Sequence, residues 1–257
     1  MPTGNKGGFK DHFSGHAGDY ARYRPRYPDH FFDSLAEHSP GQQQAWDVGC
    51  GNGQLAAGLS RHFERVYATD ASAEQVAAAP AMDGVTFAVE PAEHCSLPDD
   101  SADLVTVGQA LHWFDHPAFF AEAGRVLRPG GLFVAVSYAL CRISPAVDAE
   151  IEVLYRDVLG PYWPPERALV ESGYAGMAHP FTPVTLPAMD MRLRWSLADL
   201  VHYLNTWSAA QRHEKATGKN AIEMVLKRLE AVWGEPNQTR EVVWPLNTLS
   251  GRKTRHA

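Results

Sequence analysis

Between residues 44 and 138 the apolar positions follow two alternating rhythms. Short runs of consecutive or alternating apolar residues read as strands: Ala45–Val48, Arg65–Thr69 ending at Asp70, Val85–Val89, Asp103–Val107 and Leu132–Val136. Between them the apolar residues fall at helical spacing, as in Leu55, Leu59 and Phe63. Phe119, Phe120, Ala123, Val126 and Leu127 line one face of a later segment. Ser72 is placed to cap a helix over 73–79, Asp115-His116-Pro117 to start another, and Arg128-Pro129-Gly130-Gly131 to stop it. Asp29 is read as the cap of an earlier helix carrying Phe31, Phe32 and Leu35. Strand–helix repeats of this length call for a parallel sheet with right-handed crossovers and helices on both faces.

After residue 140 the rhythm changes. Residues 145–173 read as helical with interruptions at Pro161, Pro164 and Pro165. Val184–Trp195 reads as one long strand, Ser196 as the start of a helix, 219–233 as an amphipathic helix, and Glu241–Leu249 as a final strand. The expectation is one α/β domain over 1–257: a doubly wound, Rossmann-like sheet, mostly parallel with an antiparallel last strand, plus a mainly helical cap insertion. Residues 15–139 would form the core, 140–235 the cap and 236–250 the last strand.

Composition narrows the function classes. The chain has 257 residues, 45% of them hydrophobic, and a net charge of −7. Arg22–Arg26 and Arg252–Arg255 are too short to track a polyanion, so nucleic acid is not expected as a partner. No signal peptide and no membrane span is read. The three cysteines, Cys50, Cys95 and Cys141, form no CxxC, which argues against a zinc ribbon and for a cytoplasmic protein.

The chemical signal is Asp47-Val48-Gly49-Cys50-Gly51-Asn52-Gly53 between the first strand and its helix. Glycines there admit positive φ and close approach of a ligand to the backbone. The carboxyl end of strand one is where open α/β sheets bind ligands, and a helix start beside it offers free N–H groups. Asp70, ending strand two, is suited to a ribose diol. The loop alone leaves the cofactor open, because Gly51–Ala56 also satisfies the dinucleotide pattern GxGxxA. His112 and His116 are spaced i, i+4, but no Glu follows His112 and no metal is expected. Cys50 is read as a small filler, and no GxSxG elbow occurs.

The ordered set Asp47–Gly53, Thr69-Asp70-Ala71-Ser72, Pro91-Ala92-Glu93-His94, Gln109–Phe114 and Arg125–Gly131 resembles the class I methyltransferases. Within them it resembles the type 11, trans-aconitate methyltransferase-like group. Tyr20–Pro28, Trp195-Ser196-Leu197 and Tyr203–Gly218 also look like that group. The resemblance implies S-adenosylmethionine as cofactor. Gly49, Gly51 and Gly53 would pass beneath its methionine part, Asp47 would hold its ammonium, and Asp70 its ribose. Ala71 would pack on adenine, and Ala92 and Glu93 would edge it, although many relatives carry Asp where this chain has Pro91. Gln109 would contact the methionyl end, with Tyr20 and Arg24 folding over the site.

Aromatic faces suit a sulfonium, which makes Tyr20 and Trp113 candidates. His112 is the candidate base for a hydroxyl or amine acceptor by its titration range. A carboxylate acceptor needs no base and could be oriented by Arg142, Arg192 or Arg194. The expected partner is a small-molecule methyl acceptor, and the expected assembly a monomer or homodimer. The competing classes are a non-catalytic S-adenosylmethionine-binding protein and an NAD(P)-dependent oxidoreductase.

Overall fold

The computed structural model describes residues 25–235 and 237–254. Helix α1 (Asp29–His38) begins one residue earlier than the sequence signal places it, with Pro28 in the cap position and Asp29 in the first turn. There its charge still complements the helix N-terminus. The chain then runs β1 (Gln44–Val48), α2 (Gln54–Leu59), β2 (Arg65–Asp70), α3 (Ala73–Ala78), β3 (Val85–Val89), β4 (Ala102–Gly108), α4 (His116–Val126) and β5 (Leu127–Ser137).

β1 to β5 are parallel, in the order β3-β2-β1-β4-β5. Strands β1, β4 and β5 are buried almost throughout, as expected where helices cover both faces. Trp46, Phe119 and Phe133 belong to the core on one face, and Phe31, Phe32 and Leu59 to the core on the other. Gly58 lets the Phe32 ring lie against the backbone of α2. Ser72 and Asp115 cap their helices, accepting from the N–H groups of Gln75 and Ala118. Arg128–Gly131 ends α4 without a separate loop. These residues bulge between the Ala102↔Leu127 and Leu104↔Leu132 pairs, inside β5 itself.

Beyond β5 come α5 (Pro145–Val153), a π turn (Leu154–Val158), a 3-10 turn (Gly160–Tyr162) and α6 (Arg167–Glu171). They are followed by β6 (Thr182–Pro183), β7 (Asp190–Trp195), α7 (Leu197–Asn205), α8 (Ser208–Thr217), α9 (Glu223–Trp233), β8 (Arg240–Pro245) and β9 (Asn247–Arg252). The expected long strand 184–195 starts only at Asp190; Pro187, which has no N–H to give, lies in the irregular stretch before it. The expected final strand is two strands in two sheets. β8 pairs with β7 in a separate ribbon, and β9 inserts antiparallel between β5 and β6. α8 carries too few apolar residues to announce itself and buries only Ala209, Ala210 and His213.

Asp103 fastens the lower edge of the sheet. Its fully buried carboxylate accepts from the N–H groups of Gln43 (2.9 Å) and Gln44 (3.1 Å) and pairs with Arg128 at 2.9 Å. Asp103→Ala leaves two N–H donors and a guanidinium without this acceptor, so urea denaturation should show a loss of about 3 kcal/mol.

Candidate functional site

The loop after β1 is shaped by three glycines at positive φ: Gly49 (65°), Gly51 (54°) and Gly53 (87°). A Cβ on Gly49 would stand 2.7 Å from the Ala110 methyl, and one on Gly53 would stand 2.7 Å from the Phe87 ring. Gly51 differs, because the nearest atom to its imaginary Cβ is Gln75 Oε1 at 3.7 Å. Its bare Cα therefore borders open space. The Gly51 N–H donates to Asp70 Oδ2 at 2.8 Å, and the Ser72 N–H donates to Asp70 Oδ1 at 2.8 Å. Each carboxylate oxygen still has a lone pair to offer. Ala71, between the two partners, is exposed.

Beneath the loop lies Asp47, 1% exposed. Thr106 donates weakly to its Oδ1 at 3.4 Å, and its buried Oδ2 has no hydrogen-bond partner among the described residues. Burial raises its pKa to about 7, with the nearby Ala56 N–H and the Thr106 hydroxyl opposing and the charge of Asp70 adding. Burial likewise pushes the Cys50 thiol far above its usual range, which fits a filler and not a nucleophile.

The turn after β4 forms the opposite wall. Gln109 takes φ 54°, an uncommon conformation for a residue other than glycine. Its Nε2 donates to the Tyr138 carbonyl at 2.9 Å, and its buried Oε1 has no partner among the described residues. The following 3-10 turn, Leu111–Trp113, sets the His112 and Trp113 rings 4.7 Å apart. His112 Nδ1 lies 3.3 Å from the Tyr174 hydroxyl. Burial first, then the charges of Arg167 and His116, lower the His112 pKa to about 3. Burial thus favours the neutral ring in the free protein, which weighs against the titration-range argument for His112 as a base. His116 Nε2 turns to the Leu111 carbonyl at 3.0 Å, and no metal-binding cluster occurs among the described residues.

Other expectations meet mixed geometry. Ala92 is buried beyond β3, but Glu93 Oε1 accepts from the Asp115 N–H at 2.9 Å and so helps start α4. Arg192 pairs with Asp190 and Glu241 on the ribbon's exposed side, and Arg194 reaches Thr239. Tyr20 and Arg24 lie outside the described residues. Sequence reading missed Arg167, whose Nε donates to the Tyr155 hydroxyl at 2.8 Å while its guanidinium stacks 4.9 Å over Trp163. It also missed Tyr27, whose hydroxyl lies 3.3 Å from where a Gly108 Cβ would stand, at the tip of β4. Arg167 looks in sequence like any cap arginine, whereas Tyr27 lies within the aromatic stretch already noted.

A family of description "Methyltransferase domain" matches residues 46–135. A Dictyostelium discoideum protein named as a methyltransferase is 30% identical over 98% of both chains. A solved structure from Anaeromyxobacter dehalogenans, described as a type II methyltransferase, is 42% identical with a TM-score of 0.86. It covers 91% of this chain and 99% of its own. The chain belongs to the class I S-adenosylmethionine-dependent methyltransferases, type 11 group. YcgJ of Bacillus subtilis, 18% identical with a TM-score of 0.52 over 90% of this chain and all of its own, shares the fold.

For this methyltransferase the donor set fits the cofactor. An unmatched buried carboxylate oxygen suits an ammonium, a bare glycine Cα admits close approach, and Asp70 retains acceptor capacity for a diol. No helix among the described residues is long and apolar enough to cross a membrane.

An Asp47 that takes the cofactor's ammonium would make cofactor affinity depend on pH. Its proton is held up to about pH 7 in the free protein, and a bound ammonium would favour the ionised form. Calorimetry with S-adenosylhomocysteine should show affinity falling by up to about tenfold per unit as pH drops below that value, and level above it. Asp47→Asn should remove this dependence. Folding has the opposite sign: the unfolded carboxyl ionises first, so this group's contribution to stability declines as pH rises from the usual carboxylate range to about 7. Gly49→Ala, strained in φ and pressed on Ala110, should lose measurable S-adenosylhomocysteine binding and about 1–3 kcal/mol of stability.

Proposed function

We propose that this methyltransferase esterifies a small carboxylic acid bound at the C-terminal edge of the sheet, beside His112, Trp113 and Arg167. The observation that carries the reading is the pairing of a non-basic His112 with a nearby arginine. A hydroxyl or amine acceptor calls for a group able to take a proton near neutral pH. His112, with a pKa of about 3, is unsuited to that task. A carboxylate is already ionised and needs only to be oriented and stripped of water.

Arg167 is the orienting group in this reading. It bonds Tyr155, part of the core on the cap side, and its charge acts on His112 and Tyr174. Tyr174 belongs to the core on the opposite face. Arg167 opens α6, which packs against the Leu111–Trp113 turn after β4, at the end of the sheet where open α/β folds bind ligands. Its Nε is engaged, and its terminal nitrogens have no hydrogen bond among the described residues, leaving an N–H edge for a carboxylate.

S-adenosylmethionine supplies an electrophilic sulfonium methyl when bound. Gly49, Gly51 and Gly53 form its floor in this proposal. Asp47 holds the ammonium, Asp70 the ribose, Ala71 and Ala92 flank the adenine, and Gln109 meets the methionyl end. Glu93 contributes through its free oxygen. Tyr20 and Arg24 are assigned to the cover by resemblance alone. Trp113 offers a face to the sulfonium. His112 serves as a neutral wall. The protein's work is then alignment and exclusion of water, which alone can supply about 7 kcal/mol or more of rate acceleration.

The test uses methyl-labelled cofactor with a metabolite extract, followed by mild alkali. A methyl ester releases its label as methanol; an ether or amine retains it, and an alkali-stable product would overturn the carboxylate assignment. Arg167→Ala should lower kcat/KM about 10- to 100-fold, the worth of a charged hydrogen bond, while S-adenosylhomocysteine affinity stays unchanged. His112→Gln should retain turnover and leave the pH profile unaltered between about pH 5 and 8.

A further inference from the structure

A second concave site lies on the outer side of the β7–β8 ribbon. It is an open groove of about 450 Å³, lined by Arg142, Ser144, Asp148, Arg194, Arg240 and Glu241 among others. That volume suits a small molecule and not a protein segment. We propose that this groove binds a phosphate-class oxyanion, at a site separate from the glycine loop.

Three guanidiniums reach it from three different segments: the stretch after β5, strand β7 and the start of β8. Backbone pairing holds the first of these in place. Arg142 and Val243 exchange both N–H···O bonds, at 2.8 and 2.9 Å, extending the ribbon by one bridge. The Arg142 guanidinium makes no ion pair or hydrogen bond among the described residues, and Arg194 reaches only the Thr239 carbonyl and hydroxyl, at 3.3 and 3.4 Å. Arg240 commits its Nε and one terminal nitrogen to the Trp233 carbonyl and contributes mainly charge.

The two acids in the lining are already engaged. Asp148 Oδ1 accepts from the N–H groups of Ile143 (2.7 Å) and Ser144 (3.3 Å), and Glu241 pairs with Arg192 at 3.2 Å. What remains is a surplus of donors. Ser144 adds one more, because its hydroxyl, at the N-cap position of α5, makes no capping bond and has no hydrogen-bond partner among the described residues. A tetrahedral oxyanion accepts from arginine forks and a hydroxyl together. An ammonium or a neutral amide would leave these donors unmatched.

The test is calorimetry on the full chain at constant ionic strength, with inorganic phosphate and phenyl phosphate as probes. Saturable binding is expected, weakened about tenfold or more in Arg142→Ala and in Arg194→Ala. Arg61→Ala, an exposed arginine that pairs with Asp29 outside the groove, should bind as the parent does. Tighter binding of phenyl phosphate than of inorganic phosphate assigns a phosphorylated organic ligand; equal binding assigns free phosphate. No saturable binding of either probe, or equal weakening in Arg61→Ala, would overturn the site. S-adenosylhomocysteine affinity, unchanged in the groove variants, reports on the methyltransferase assignment independently.

Discussion

One carboxylate holds the working edge of this sheet together. Asp70 accepts an N–H from Gly51 on one side and from Ser72 on the other, so the tip of β2 grips both the loop leaving β1 and the start of α3. In the loop the Cys50 and Gly53 N–H groups find backbone carbonyls, those of Thr69 and Cys50, and the Gly51 N–H between them is taken up by this carboxylate. The β1–β2 register, with Val48 opposite Thr69, brings the carboxylate to the loop. The β1–β4 pairing sets the Gln109–Phe114 turn against the same loop from the other side.

Within that frame, polar atoms are left unsatisfied where a ligand would meet them. Asp47 Oδ2 and Gln109 Oε1 are both buried with no partner among the described residues, and Gln109 holds an unfavourable backbone angle as well. Each such feature costs the free protein on the order of 1–3 kcal/mol. Sites that recognise charged ligands in a low-dielectric setting commonly carry such costs, because the same surroundings strengthen the interaction once the partner arrives.

Much of the frame was legible from local signals. Glycines that need positive φ, the caps at Ser72 and Asp115, and the apolar runs of β1 to β5 each act within a few residues. What depends on distant packing was not legible. Nothing near His112 announces that Tyr174 and Arg167 will close over it and suppress its basicity. Arg167, Arg142 and Arg194 look alike in sequence, yet one stacks on Trp163 near the sheet's edge and the others line an outer groove. The stretch 240–252 reads as one apolar strand because the pattern continues across Leu246 while the partner sheet changes.

That change of partner has a mechanical consequence. Pro245 ends a strand of the outer ribbon and Asn247 begins one wedged between β5 and β6, so a single residue separates the two. A segment with so little slack transmits tension. Swinging the ribbon outward as a rigid flap would shear the innermost antiparallel seam of the central sheet. The ribbon is therefore tied to the central sheet as a strut.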